Sequence, residues 1–557
     1  MSLSSVLEDP FYQQYRILIF LWIAVVAVPF LTYQLTSFLF YRTARSNVSL
    51  KTPPTIPYWV PGIFHGVGLA FGPPAYFGKL IKEYGSFSPF VVKVGPLSFL
   101  VLRDANHVKK IFQSPKQMTA RDFHVQIFDK VMGSPKEALL LYGGIGEGSD
   151  EVEHAHLTLP RQYFSGSQLT PMADVYISTF RRNLSNKMFQ TKTWTEIEDL
   201  WSFFQNEITR ATIETIFGSA ILKQYPRLVR DFWEFDSNIE NFTRGLPRFM
   251  MPAAYTARDR LHENLKNWLQ SAHEGSDLAE VGDEDPVWDA DMGSKFFQTR
   301  DTVFAKIPSL DYQARAAEAL AIMQGSNSNT MPSTFWYIIE TLRNPTLVKH
   351  LTKEIGRHCD PASDSFDIAA ITALPIIQSM HAEIGRLRMA TGAIRTNEVH
   401  NFKLDEKWLI PKGMSVMIFS HDLALNTELW ANARPQTVVR PLEEFWAERF
   451  LVPDKPTNQE RNPTTVPEKV GTGRFSMEGV SALHTTFGGG QHLCPGRYFA
   501  RAVQAATLAV LLCEYEIELS DPDDVEYVLP SVRELAYGTV KPRDKIRVRI
   551  RKRESKI

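Results

Sequence analysis

The chain has 557 residues, three of them cysteine, and balances 61 Lys plus Arg against 62 Asp plus Glu. That near-neutral balance gives no reason to expect a nucleic acid or an acidic polymer as partner. Three cysteines exclude a disulfide-built secreted domain, a four-cysteine zinc site and an ordinary iron–sulfur cluster, and they place the body in a reducing compartment.

Residues 1–16 form a short lead, and from Ile17 to Tyr41 no charged residue occurs. The mostly apolar run 17–41 would make about 37 Å of helix, enough to span a bilayer with some tilt. Pro29 predicts a kink that a membrane helix tolerates, and Trp22, Tyr33 and Tyr41 suit an interface belt. A cleaved signal peptide would have a shorter apolar core ending at a small-residue site. Arg42, Arg45 and Lys51 follow the run, so the positive-inside rule puts the body on the cytosolic side, of the endoplasmic reticulum in a eukaryote. Residues 42–62 read as a basic, proline-rich linker. Pro53, Pro54, Pro57 and Pro61 favour an extended spacer.

Residues 63–557 show no internal repeat and no second boundary, which predicts a single large domain. Two β-rich runs, 90–94 and 98–102, flank Gly95-Pro96 and predict a hairpin. Apolar residues then recur with a helical period from about 103 to 269. The run 274–291 holds eight acidic residues and reads as a solvated loop. A long helical pattern spans 311–343, with Pro332 predicting a kink. Residues 460–479 are polar and predict a loop. At the end, Ile546, Val548 and Ile550 alternate with Arg547, Arg549 and Arg551, which predicts a strand with one wet basic face. A nucleic-acid arm is the sharper but weaker reading of those arginines. The fold class is mainly α with smaller β-sheets (α+β).

The strongest chemical signal lies at 487–497. Phe487 precedes three glycines, then Gln491, His492, Leu493, Cys494, Pro495, Gly496 and Arg497. Consecutive glycines let the backbone approach a flat ligand closely. Proline favours a helix start, so Cys494 falls near the N-terminus of a helix over about 496–513, where free N–H groups stabilise a thiolate. The bland alternative is a buried core thiol. Cys359 and Cys513 have no such context and read as structural. Neither this loop nor the glycines at 143–148 fit a dinucleotide fingerprint or a P-loop.

Phe-x-x-Gly-x-x-x-Cys-x-Gly, with Phe487, Gly490, Cys494 and Gly496 in place, resembles the haem-binding signature of the cytochrome P450 superfamily. The resemblance covers roughly 53–551 and implies the P450 fold. It also implies haem (iron protoporphyrin IX) with Cys494 as axial thiolate ligand. Arg497 is a nearby cation, and His492 stands where the family usually has a propionate-binding arginine. Arg395, twelve residues after Glu383, matches another propionate arginine. The segment 151–161 lacks the usual Trp and Arg, and His156 or Arg161 would replace them. A zinc site on His154 and His156 lacks further ligands. Glu383 and Arg386 match the family's Glu-x-x-Arg, and Arg449 the second arginine of that structural triad.

On the oxygen side, Asn329 falls at the family's usual threonine and Ser328 at its usual acid, with Thr330 adjacent. This resembles the branch of cholesterol 7α-hydroxylase, sterol 12α-hydroxylase and prostacyclin synthase. The acidic loop and extended C-terminal region resemble fungal members. The resemblance implies a monooxygenase acting on a lipophilic molecule such as a steroid, terpenoid or other secondary metabolite. NADPH-cytochrome P450 reductase would be its partner, because no flavin domain fits in the chain. Asn329 cannot relay a proton as a hydroxyl does. A prostacyclin-synthase-type isomerase, which needs no reductase, therefore stays open, as does a non-catalytic haem-binding membrane protein.

Overall fold

The computed structural model describes residues 10–185, 191–274, 279–282, 284–360, 362–453, 471–530 and 538–554, except for the side chains of 10–21, 23, 24 and 524. The chain forms two compact units, Met1–Thr119 with Ile394–Ile418 and Ala120–Ala393 with Phe419–Ile557. The sequence shows no boundary within 63–557 because this division is no simple cut. The first unit takes in 394–418, which interrupt the second along the sequence.

In the first unit the helix Pro10–Arg45 runs on through Pro29. Its last turns are docked. Phe40 is buried edge-on against Tyr84 and Phe87 at 5.3 and 5.6 Å. Tyr33 stacks on Trp59 at 4.4 Å, and the Thr36 hydroxyl meets the backbone of Tyr58 at 3.3 Å. Lys51 Nζ reaches the carbonyls of Thr43 and Ser46 near the helix end, where a cation suits the dipole. Among the described residues no helix is long and apolar enough to cross a membrane. The span expected over 17–41 falls in part on side chains outside the described ones.

Phe90–Val94 and Leu97–Leu102 pair antiparallel as the predicted hairpin, from Phe90↔Val101 to Val94↔Leu97. Ser415–Phe419 adds in parallel, and Gly392–Asn397 and Met118–Thr119 complete a five-stranded sheet. The proline-rich run is not a free spacer. It lies along the hairpin, with Ile56 N donating to Val91 O and Val91 N to Pro54 O. Prolines lack the N–H, so Ile56 donates for the run.

The second unit is mostly helical. Thr330–Leu342 is buried at every position and Arg497–Cys513 is buried from Ala502 onward. With Leu169–Leu184, Leu200–Phe217 and Pro375–Arg388 they build one apolar core. The helix expected over 311–343 is two helices, Tyr312–Asn327 and Thr330–Leu342. Pro332 has no N–H and its ring crowds the carbonyl four residues back, at Ser328. The chain therefore opens there instead of only bending. Val548–Lys552 lies between Tyr515–Leu519 and Thr195–Ile197. Arg547, Arg549 and Arg551 face Glu196, Glu518 and Glu516, so the basic face is neutralised within the sheet. In the acidic run, Trp288–Asp289 pairs with Gly293–Ser294. Residues 275–278 and 283 of that run, and 460–470 of the later loop, lie outside the described ones.

Candidate active site

Gly488 and Gly490 adopt φ of +75° and +65°, a region strained for residues with a Cβ. These turns fold the loop back so that Cys494 N donates to Phe487 O at 2.8 Å. The following helix starts at Arg497 with Gly496 as its N-cap, so the cysteine stands two residues before the cap. Burial pushes the Cys494 thiol up from its ordinary value, while the amides of Gly496 and Arg497 and the Arg497 charge pull it back. The sulfur thus has donors but little water, which suits a metal-bound thiolate.

Phe487 stacks on His381 with ring centroids 5.4 Å apart. His381 Nδ1 donates to Gln504 Oε1 at 2.6 Å, and Gln504 Nε2 donates to Ser333 Oγ at 2.9 Å. Burial pushes His381 down to about 3, so this chain is neutral. It ties the cysteine loop to the helix Thr330–Leu342. Sequence reasoning missed His381 and Gln504, since neither stands in a motif.

Cys494 opens onto a cavity of about 340 Å³. The cysteine loop supplies Phe487, Gly496 and Arg497, and the opened helix region supplies Gly325, Ser326, Asn329, Thr330 and Ser333. Pro160, Phe164, Phe296 and Arg300 also line it. Asn329 is pinned, its Oδ1 accepting from Thr539 N at 2.9 Å and from Thr539 Oγ1 at 3.1 Å. Its remaining polar group is the Nδ2 amide, a donor only. Ser328 is not among the lining residues. Gly538 has φ +119°, and a Cβ there would stand 2.7 Å from Asn329 Oδ1. Gly538→Ala is expected to displace Asn329 and cost about 1–3 kcal/mol. The check is a lowered melting temperature, with weakened turnover in protein that still binds haem.

The predicted propionate residues are placed differently from the expectation. His156 does not line the cavity. Its Nε2 bonds Glu318 at 3.0 Å and its Nδ1 meets His124 Nε2 at 3.2 Å. Glu318 also takes Arg300 Nη2 at 2.6 Å. Burial alone would raise the Glu318 carboxyl, but His156 and Arg300 hold it down at about 2. Burial and the neighbouring His156 put His124 at about 3. Arg161 donates to the carbonyl of Gln491. His492 lies in the turn Gly490–His492, and its charge bears on His124. Arg497 folds back, Nη1 donating to Cys494 O at 2.8 Å. Arg395 belongs to the first unit, where its guanidinium lies over the Phe112 ring. The cations that line the cavity are Arg300 and Arg497. Arg300 was missed, yet the sequence carries a signal. Phe296, Arg300 and Phe304 recur every four residues and are all buried, so the arginine interrupts an apolar helix face.

Glu383 pairs with both Arg386 and Arg449. Arg386 donates to Glu383 at 2.7 and 2.8 Å, and Arg449 Nε donates at 2.8 Å. Trp446 N adds a third donor residue at 3.1 Å. Arg449 also reaches the carbonyls of Thr437, Arg440, Pro441 and Glu444. Burial would raise the Glu383 carboxyl, but the two guanidiniums hold it below its ordinary value.

A half-buried sulfur facing a cavity, with backbone donors behind it and arginines in the wall, defines a haem-thiolate site. A family model for cytochrome P450 matches residues 52–548, and the chain belongs to that family. It is 29% identical over 525 residues to cytochrome P450 monooxygenase fsoE of Humicola fuscoatra, covering 91% of this chain and 88% of that one. It is 28% identical over 551 residues to cytochrome P450 monooxygenase efuG of Hormonema carpetanum, covering 95% and 96%. Cytochrome P450 7A1 of Oryctolagus cuniculus is 22% identical over 495 residues, covering 84% and 87%. The protein is thus a P450 monooxygenase whose cofactor is haem held by a cysteine thiolate. The residues present fit that group. Cys494 has access and donors, and Arg300, whose buried Nε has no partner among the described residues, offers a cation to a carboxylate.

Proposed function

We propose that the protein inserts one atom of dioxygen into a lipophilic secondary metabolite of steroid or terpenoid type, with electrons from NADPH through a separate reductase. The observation that carries this is one cavity holding both the Cys494 sulfur and the opened helix segment at Asn329 and Thr330. Bound haem supplies the iron centre for oxygen chemistry. Cys494 ligates it, Phe487 shields the sulfur, and Gly490 and Gly496 let the loop approach the ring. Arg300, positioned by Glu318 and His156, and Arg497 hold its carboxylates.

A second cavity of about 340 Å³ supports an apolar substrate. Phe123, Ile127, Val131, Met132 and Ile239 line it, together with Gln324 and His124. Most of these lie between 123 and 132, with Ile239 and Gln324 added from two later segments. One amide in an apolar wall fixes orientation without demanding charge. The helix Pro10–Arg45 would anchor the chain in the endoplasmic reticulum membrane with the body cytosolic. Trp22, Val25, Val26, Leu31, Leu35 and Phe38 are all more than half exposed, as lipid-facing residues would be.

Deletion of the gene should accumulate a precursor. Fed to membranes carrying the haem-loaded chain and a reductase, that precursor should take up one labelled atom from isotopic dioxygen, only when NADPH is present. Product formed without NADPH, reductase or dioxygen would instead establish rearrangement chemistry.

A further inference from the structure

His124 stands in the wall of the second cavity. That cavity neighbours the haem cavity, since Gln324 lines one and Gly325, the next residue of the helix Tyr312–Asn327, lines the other. His124 Nε2 is bound to His156 Nδ1 at 3.2 Å, and His156 Nε2 to Glu318 Oε1 at 3.0 Å. Both rings pack on Phe128, at 4.8 and 5.6 Å between centroids. Among the described residues His124 Nδ1 has no hydrogen-bond partner. The hydrogens along this chain are fixed from its far end. An ionised carboxylate only accepts, and Glu318 is held ionised, so His156 Nε2 carries a hydrogen. Arg300 Nη2, 2.6 Å from the same carboxylate, already balances its charge, so His156 serves as a neutral ring whose Nδ1 is a lone pair. His124, neutral in its buried setting, must then donate through Nε2. The nitrogen left to the cavity, Nδ1, can only accept.

We propose that His124 Nδ1 selects substrates that carry a free hydroxyl at the end remote from the haem. The hydroxyl donates to Nδ1. A ketone or an ether at that position offers only lone pairs and sets one acceptor against another. Gln324, the other polar side chain of this cavity, both donates and accepts, so it orients a substrate without sorting alcohols from ketones. Glu318 and His156 are positioning residues, because they fix which nitrogen of His124 carries the hydrogen. The rest of the wall is apolar, so a mismatched group there finds no substitute partner and is rejected strongly. The substrate class thereby narrows from a lipophilic molecule to a lipophilic alcohol.

The proposal rests on the monooxygenase reading, and its test can fail independently of it. The haem-loaded full chain is titrated, by its haem difference spectrum, with the precursor from the gene-deletion strain and with the O-methyl ether of that precursor. Wild type should bind the alcohol at least about tenfold more tightly than the ether. His124→Phe should bind the two alike, with the spectrum of the reduced carbon-monoxide complex unchanged. His156→Phe, which keeps His124 but frees its tautomer, should shrink the preference and covers the case in which the His124 variant fails to fold. A precursor without a free hydroxyl, equal binding of the two by wild type, or a preference undiminished in His124→Phe would overturn the proposal. The titration uses neither reductase nor dioxygen. A precursor that takes up no labelled oxygen in the presence of NADPH and reductase would overturn the monooxygenase reading and leave the binding preference standing.

Discussion

Cys494→Ala is expected to abolish the thiolate-type absorption of the reduced carbon-monoxide complex and to bring oxygenation down to background. Among the described residues that line the cavity Cys494 is the sole thiol, and the one imidazole, His381, is already committed through Nδ1 to Gln504 and stacked on Phe487. The iron's bond to protein is then a single sulfur. Alanine also orphans the amides of Gly496 and Arg497 that now point at it. Cys494→His should restore a ligand but not the electron donation that a thiolate gives. Absorption spectra and haem content of the purified variants decide the matter. A thiolate spectrum surviving in Cys494→Ala would refute the ligand assignment.

Glu383→Ala should prevent most of the chain from reaching a haem-binding state. The carboxylate and both guanidiniums are fully buried side chains. Removing the anion leaves two cations in the core, and breaking such a buried set costs about 3–5 kcal/mol. A domain's whole stability is about 5–15 kcal/mol. Glu383→Gln keeps the volume and part of the hydrogen bonding, and should fall between the two. The same group sets an acid limit. Its carboxyl is held below its ordinary value in the fold, so its contribution is complete above the ordinary carboxylate range. That contribution is lost as pH falls through the depressed folded value. Yield of haem-bound protein and melting temperature across the acid range test both statements.

The local features of the site were legible, and its long-range partners were not. The loop 487–497 and the pair Glu383–Arg386 are contiguous or one helical turn apart, so spacing alone reveals them. Arg449 required a resemblance, because 66 residues separate it from its carboxylate. His156 was read as facing the haem because of its place along the chain. Burial of Glu318 on a distant helix directs it elsewhere, since a buried carboxylate requires partners. Pro332 was read as a bend. A bend and an opening differ only in whether the neighbouring turn is held elsewhere, and here Thr539 holds Asn329 from 210 residues away.

The docked end of the first helix changes what shortening the chain would do. A soluble version cut at the proline run would also strip Phe40 from the rings of Tyr84 and Phe87 and remove the strand-like cover over Val91. It would trade the exposed apolar tail for a sticky scar on the folded body. A cut nearer residue 30 would keep Tyr33 against Trp59 and leave that surface sealed. The helix is therefore less a leash than a part of the wall, its last turns held by Tyr84, Phe87 and Trp59.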